Sequence, residues 1–387
     1  MQPLQDDEHI TMLRTTIRRF IENEMPRELA RDWDERDYFP ADVFAKLAEL
    51  GVLGLTVPEE YGGCGPDIPA TIAVIEELSS RSMAVCSAFI QATCYAGMNI
   101  LEVGSEEQKS ELLPKVVAGE MIFAYGITEP DVGSDIASVR TKAVIDGDEV
   151  VINGAKRFCS GSAFSNYIYT IVRSGPAEDR YKNLSIVLIP PDAPGITIEY
   201  QETMGIKGAG TADITFEDVR VPKSNIVGGM DAWNKGWSKI VGPGLDVEKI
   251  EVAAMALGTA RAAVEDAWIY SEERIQFGKP ISSIQSIRHM LAESKTKLEA
   301  CRLMVYNAAT LIGTDAETSV PTSMTKLFVT DTAVEIVLQC QRVMGAYGYV
   351  RECAMERYVR DALGMAIIGG SSAIQKNNIC NRLKLLR

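Results

Sequence analysis

Two stretches of this chain are equipped for chemistry, in different ways. GLDVEKIEVAA, Gly244 to Ala254, holds three carboxylates at close spacing, Asp246, Glu248 and Glu251. AIIGGSSAIQKNN, Ala366 to Asn378, is a glycine–serine turn that can present backbone amides to an anionic or polar group, but no side chain in its IIGGSS core moves a proton. The chain has only two histidines, His9 and His289. A histidine-based triad would rest on His289 alone, which follows Arg288 in a helical pattern, so proton chemistry falls to a carboxylate. Composition singles out none of the three acids. A glutamate near a helix start is often only a partner for the helix dipole, a contribution of about 0.3–1 kcal/mol.

Three further motifs stand out: TEPDVGSD from Thr128 to Asp135, RFCSGS from Arg157 to Ser162, and RIQFGKPI from Arg274 to Ile281. Taken singly each is a turn or a helix end. The eight cysteines form no C-x-x-C pair and none sits near a histidine at metal-ligand spacing, which predicts reduced thiols, no metal site and a cytoplasmic protein. A net charge of −14 argues against nucleic acid as a partner. The acidic start, MQPLQDDEHI, does not read as a secretory signal, and no apolar run reads as long enough to insert in a membrane.

The elements that must position these motifs fall into three blocks. Residues 1–120 read as a helical domain, with Ile10, Leu13, Ile17 and Ile21 at helical spacing and the loop PEEYGGCGPD, Pro58 to Asp67, as punctuation. Helices are expected from Ile68 into the Ser79–Ser82 region and from Ala88 to Leu101. Residues 121–230 read as a β domain, with strands at Val150–Ile152, Tyr167–Val172, Leu184–Ile189, Ile196–Tyr200 and Ile214–Val221 bounded by prolines. Residues 231–387 return to long amphipathic helices, with one apolar stripe at Ile284, Ile287, Leu291, Leu298 and Val305. Phe328, Ile336, Val337, Cys340 and Met344 suggest a second, and together they imply an antiparallel bundle.

In their order along the chain, PEEYGG, ITEPDVGSD, INGAKRF, FEDVRVP, RIQFGKPI, MGAYGY and RDA resemble the acyl-CoA dehydrogenase family over nearly the whole length. The resemblance implies a mainly α fold with an N-terminal helical domain, a small β-barrel-like middle domain and a C-terminal four-helix bundle. It implies FAD as cofactor, α,β-desaturation of an acyl-CoA thioester, an electron-transfer flavoprotein as electron acceptor, and a homotetramer, or a dimer of the same architecture, in which one subunit reaches the flavin of another.

Site residues carry over by position. Tyr125, Ile127, Thr128 and Ser134 fall at the flavin, with Ser134 also near the thioester ligand. Phe158, where the family most often has Trp, and Ser160 fall at the isoalloxazine ring. Arg274, Gln276, Phe277 and Gln285 match the segment reaching the neighbouring subunit's FAD. Arg342 stands where the family usually has Gln, Gly345 matches the adenine-side turn, and Ser371 and Ser372 match the hydroxyl pair of the last motif. The family's usual base is a Glu in that motif, and the register from Arg360-Asp361-Ala362 puts Gly369 in its place, followed by Gly370. Some members instead carry the Glu at the start of the first bundle helix, as isovaleryl-CoA dehydrogenase does, and Glu248 matches it. Asp246, Lys249, Gly369 and Gly370 are then substrate-side residues, Lys249 replacing a customary Arg, and Gln91, Cys94 and Tyr95 fall near the acyl tunnel. The expected reaction is dehydrogenation of a short, branched or cyclic acyl-CoA. An enoyl-CoA reductase, an enzyme for carrier-protein-bound acyl or aminoacyl groups, and a non-catalytic flavin-binding homologue remain as alternatives. An oxidase or a membrane-associating form is disfavoured, since the chain ends at Arg387, soon after the last motif.

Overall fold

The computed structural model describes residues 7–240 and 243–385. The acidic first residues and Arg387, on which two of the expectations rest, lie outside them.

The N-terminal block is a stack of helices: α1 (Glu8–Glu24), α2 (Arg27–Glu35), α3 (Ala41–Glu49), α4 (Ile68–Ser79), α5 (Met83–Ile90), α6 (Asn99–Val103) and α7 (Glu106–Val117). Local chemistry sets several of their ends. Asp67 caps α4 through its carboxylate and the Ala70 amide, 2.9 Å apart. Ser105 and Gln108 form a reciprocal capping box on α7. Gln108 also donates to the Ser224 and Ile226 carbonyls, tying α7 to the β block.

Between α5 and α6 the chain does not continue as an α-helix. Gln91–Met98 forms a widened π-helix, a form frequent at functional sites. Met83–Val103 as a whole is long and apolar enough to cross a membrane by length and composition, which corrects the expectation that no stretch is. Its most apolar window is 78% buried inside the protein, so it serves as a core helix.

The middle block is a sheet of β1 (Phe123–Gly126), β2 (Lys142–Asp146), β3 (Glu149–Cys159), β4 (Tyr167–Arg173), β5 (Leu184–Ile189), β6 (Ile196–Tyr200) and β7 (Ala212–Pro222). The order is β1-β4-β2-β3-β7-β6, with β5 on β4. β3 is bulged twice, at Ile152/Gly154 and at Lys156/Cys159. At the first, Gly154 has φ +146°, and a Cβ there would come within 2.6 Å of the Thr141 backbone.

After the short α8 (Gly236–Ile240), the bundle is built from α9 (Pro243–Glu273), α10 (Gln285–Leu311), α11 (Ser319–Met344) and α12 (Met355–Met365), with α13 (Ser372–Arg382) along α11. A hairpin of β8 (Ile275–Gln276) and β9 (Lys279–Pro280) separates α9 from α10. Leu291, Leu298 and Val305 are buried as the stripe predicts, as are Ile336, Val337, Cys340 and Met344. Phe328 is 42% exposed and does not belong to the second stripe; Val329, one position round the helix, is buried in its stead.

One arginine joins all three blocks. Arg360 donates to Asp34 of α2 (2.6 Å), to Glu356 one turn back (2.7 Å) and to the Met204 carbonyl of the β block (3.0 Å). Beside it, the buried Asp361 accepts from the Ile206 amide at 2.7 Å. The RDA motif is therefore a seam residue set, which places the turn after α12 rigidly against the other blocks.

Candidate active site

The turn from Ile368 to Ser371 hangs between α12 and α13. Gly369 and Gly370 have φ +59° and +79°, a left-handed pair that glycine adopts without the Cβ penalty. Both carbonyls are held from behind: Lys326 Nζ donates to the Gly370 oxygen at 2.8 Å, and Gln375 Nε2 donates to the oxygens of Gly370 (2.9 Å) and Gly369 (3.3 Å). Lys326 is fully buried in the middle of α11. Burial pulls its ammonium down to about 8, against Asp331 and Glu248, which favour the charge.

Glu248 comes to the same place from α9. A Cβ built on Gly369 would lie 3.9 Å from Glu248 Oε1 and 3.0 Å from Val252 Cγ2. The space that a side chain at 369 would enter thus already borders the Glu248 carboxylate. Tyr95, on the π-helix, donates its hydroxyl to Glu248 Oε1 at 3.3 Å. Burial pushes the Glu248 carboxyl above its ordinary range, opposed by the Tyr95 hydroxyl and by Lys326 and Lys249. The Tyr95 ring stacks on Tyr125 of β1, with centroids 3.6 Å apart and planes 9° from parallel. This stack links the carboxylate on the bundle to the first strand of the β block.

The substrate-side acids divide. Lys249 and Asp246 pair with each other at 2.7 Å, and Asp246 also accepts from Thr318 Oγ1 at 2.7 Å. They brace the start of α9 against α11, and a point charge is enough for that contact. Asp246 is therefore already partnered, while among the described residues Glu248 accepts only a long bond from Tyr95.

The flavin-side residues gather at the end of the sheet. The Thr128 carbonyl accepts from the Arg157 amide (2.7 Å), and Ser160 Oγ is 2.8 Å from Thr211 Oγ1. Phe158 sits in the second β3 bulge with φ +57° and is 58% exposed, under the Arg157 guanidinium. A non-glycine residue in the left-handed region carries backbone strain, which here the bulge holds in place. Below it, the buried Lys156 pairs with Glu129 at 2.8 Å and donates to the Ile127 carbonyl at 3.1 Å. Glu129 in turn accepts from the Arg140 and Thr141 amides. Ser134 lies on the exposed loop beyond. Ser372 Oγ is engaged by Asp331 at 2.7 Å, and Ser371 precedes α13.

Arg274, Gln276, Phe277 and Gln285 cluster around the β8–β9 hairpin, where Phe277 is 91% exposed at φ +51°. Arg274 lies over the Tyr347 ring, 5.8 Å from its centroid, so the hairpin sits beside the Gly345–Gly348 turn and the exposed Arg342. Among the described residues no hydrogen bond, ion pair or ring contact joins this group to Phe158 or Glu248 of the same chain. His289 is exposed on α10, and His9 pairs with Asp67 at 3.0 Å, so neither approaches Glu248.

Lys326, Gln375 and the Lys156–Glu129 pair escaped the sequence reading. A lone Lys within the otherwise uncharged TSMTKLFVT was the available signal for the first; the others carry none in a single sequence.

A buried carboxylate on a helical bundle beside a glycine turn, in a chain that also exposes an aromatic at the end of its sheet, is a set of parts that suits a flavin-dependent desaturating enzyme. Family models match the chain in three consecutive pieces: the acyl-CoA dehydrogenase N-terminal domain matches residues 7–120, the middle domain 124–219 and the C-terminal domain 234–384. The chain is 34% identical over 375 residues to a probable acyl-CoA dehydrogenase, YngJ, of Bacillus subtilis, covering 94% of this chain and 98% of that protein. It is 33% identical over 374 residues to the caffeyl-CoA reductase–Etf complex subunit CarC of Acetobacterium woodii, covering 96% and 97%. The structure of glutaryl-coenzyme A dehydrogenase in complex with glutaryl-CoA superposes with a TM-score of 0.93 at 30% identity, covering 99% and 97%. This chain belongs to the acyl-CoA dehydrogenase family, and it is an oxidoreductase of that FAD-binding family.

Proposed function

We propose that this enzyme dehydrogenates a short, branched or cyclic acyl-CoA at the α,β bond, with Glu248 as the base. The observation that carries this is the 3.9 Å between Glu248 Oε1 and the Cβ position of Gly369: the carboxylate borders the space from which the family's more frequent base would act. Glu248 takes the α proton. Negative charge then develops on the thioester oxygen, and the Gly370 amide is suited to meet it, because the Gly369 carbonyl of the same peptide plane is tied back by Gln375, while Lys326 and Gln375 fix the next plane through the Gly370 carbonyl. The flavin, when bound, supplies the two-electron acceptor for the β hydride. Phe158 and Ser160 would hold its ring, and Tyr125, Ile127 and Thr128 its edge. The exposed hairpin with Arg274, Gln276 and Phe277 favours a homotetramer in which these residues serve another subunit's FAD, and electrons pass on to an electron-transfer flavoprotein.

The test is anaerobic titration of the flavin-loaded protein with straight, branched and cyclic acyl-CoAs, followed by loss of the flavin's visible absorbance. Bleaching by one class supports the proposal, and no bleaching by any of them removes it. The kinship with CarC favours one second reading, enoyl-CoA reduction by the same residues, which would show as reoxidation of the reduced enzyme by an enoyl-CoA in the same cuvette.

The raised Glu248 carboxyl gives a pH prediction. The base works only when ionised, so the rate of flavin reduction should fall as pH drops, with its acid limb above the ordinary glutamate value of about 4.3. A limb at or below that value would contradict burial as the tuning force.

The shared position gives another. Glu248→Gln combined with Gly369→Glu should regain roughly tenfold or more over Glu248→Gln alone, out of the about 10²–10⁴ a general base supplies. Recovery stays partial, because a side chain at 369 meets φ +59° and the Val252 methyl. Adding Val252→Ala should raise it. Single-turnover flavin reduction measures all three variants.

A further inference from the structure

We infer that Glu251 is the polar end of the acyl pocket, and that the acyl group carries a hydroxyl or amino group which meets it; the inference rests on Glu248 marking the α carbon. Glu251 lies three residues beyond Glu248 on α9, hence on the same face and about 4.5 Å further along the axis. That is roughly three or four bonds of an extended acyl chain.

Its side chain is out of place for a hydrocarbon pocket. Glu251 is 0% exposed, and among the described residues neither carboxyl oxygen has a hydrogen-bond partner. A buried carboxyl left this way is costly, and folded proteins partner nearly all such groups. The Cys94 thiol lies against it, but makes no hydrogen bond of ordinary geometry and is a weak donor at best.

The opposite wall repeats the pattern. Consecutive residues of the π-helix, Cys94 and Tyr95, face Glu251 and Glu248 respectively. One turn earlier, the Gln91 side-chain oxygen is a second buried acceptor without a partner. Its amide reaches toward Gly161, where an added Cβ would fall 2.5 Å from that oxygen. The π-helix is thus polar over about one turn, from the flavin-side loop at Gly161 to the carboxylates of α9.

Burial pushes the Glu251 carboxyl up to about 8, with Glu248 adding to the rise, so near neutral pH it is a carboxylic acid that can both donate and accept. That matches a hydroxyl. An amine would be met instead by the carboxylate, its proton having passed to the ligand.

The experiment compares kcat/KM for 5-hydroxypentanoyl-CoA against hexanoyl-CoA, and for 6-aminohexanoyl-CoA against heptanoyl-CoA, using the flavin-loaded enzyme. One polar member should be preferred by about tenfold or more, since a site built to bond a substrate group rejects the analogue lacking it. Glu251→Leu should reverse that preference; if it does not fold, Glu251→Met, close to Glu in shape, takes its place. Glu251→Gln separates the ligands, keeping a hydroxyl preference and losing an amino one. Alkyl preference in the natural enzyme, or an unchanged ranking in the folded apolar variant, overturns the inference. Glu248→Gln is run beside them. Continued bleaching there removes the base assignment whatever the tail, whereas an inert Glu248→Gln with alkyl preference in the parent removes only the polar end.

Discussion

Glu248→Gln should slow flavin reduction by acyl-CoA about 10²–10⁴-fold while leaving the protein folded and yellow. Gln keeps the volume and still accepts from Tyr95, so the 3.3 Å contact and the stack on Tyr125 survive. What it loses is the ability to take a proton. Stability should not fall with activity. The Glu248 carboxyl titrates above its unfolded value, so its ionised form is disfavoured by folding. At pH above both values this residue costs stability, and neutral Gln removes that cost. A thermal midpoint equal to or above the parent's, with reduction lost, is the expected pair of results. Full activity in the variant would move the base elsewhere. Lost activity with a lowered midpoint would mean that the negative charge itself holds the site together, through Lys326 and Lys249.

The three-block order and most strands were legible because each rests on a local signal. Tyr167–Val172 and Leu184–Ile189 are runs of strand formers bounded by turn residues, and they pair as β4 and β5. The bundle stripes at Leu291, Leu298 and Val305 are periodic, and they are buried. The π-helix was illegible, since its one-residue widening leaves no mark on the apolar pattern of FIQATCYAG. Within the site, the register of RDA and IIGGSS located Gly369, and the resemblance pointed to Glu248. That a Cβ at 369 and the carboxylate of 248 adjoin is a fact of tertiary packing, and LDVEKIE offers three acids with no local reason to choose. Asp246 is partnered by Lys249 and Thr318, and Glu251 is wholly buried. Those distinctions come from α11 and the π-helix, which are distant in sequence. Lys326 is the same case: a single cation on a buried helix face says that something polar waits opposite, but not that it is the carbonyl of Gly370.

Arg14→Met should destabilise the protein by about 3–5 kcal/mol, far more than its distance from the site suggests. Arg14 is 6% exposed and donates to Glu77 and Glu76 at 2.7 Å each, and it also meets Tyr306 of α10. Arg18 of α1 and Arg261 of α9 reach the same carboxylates, so the cluster docks the first helix and α4 against the helix that carries Glu248. Removing one cation leaves buried carboxylates short of charge, which is the costly way to break such a network. Burial alone would push Glu77 up, yet Arg261, Arg18 and Arg14 hold it down at about 2. An acid so depressed contributes stability above its unfolded value of about 4.3, and that stability is lost as pH falls toward 2. Without Arg14 the carboxyl rises, so acid unfolding should begin at a higher pH in the variant. Urea titration at neutral pH and acid titration of the flavin-loaded protein measure the two effects separately. If both midpoints match the parent's, the cluster merely replaces hydration that its members would otherwise have. The burial of Ile17 and Phe20 would then be what holds α1 in place.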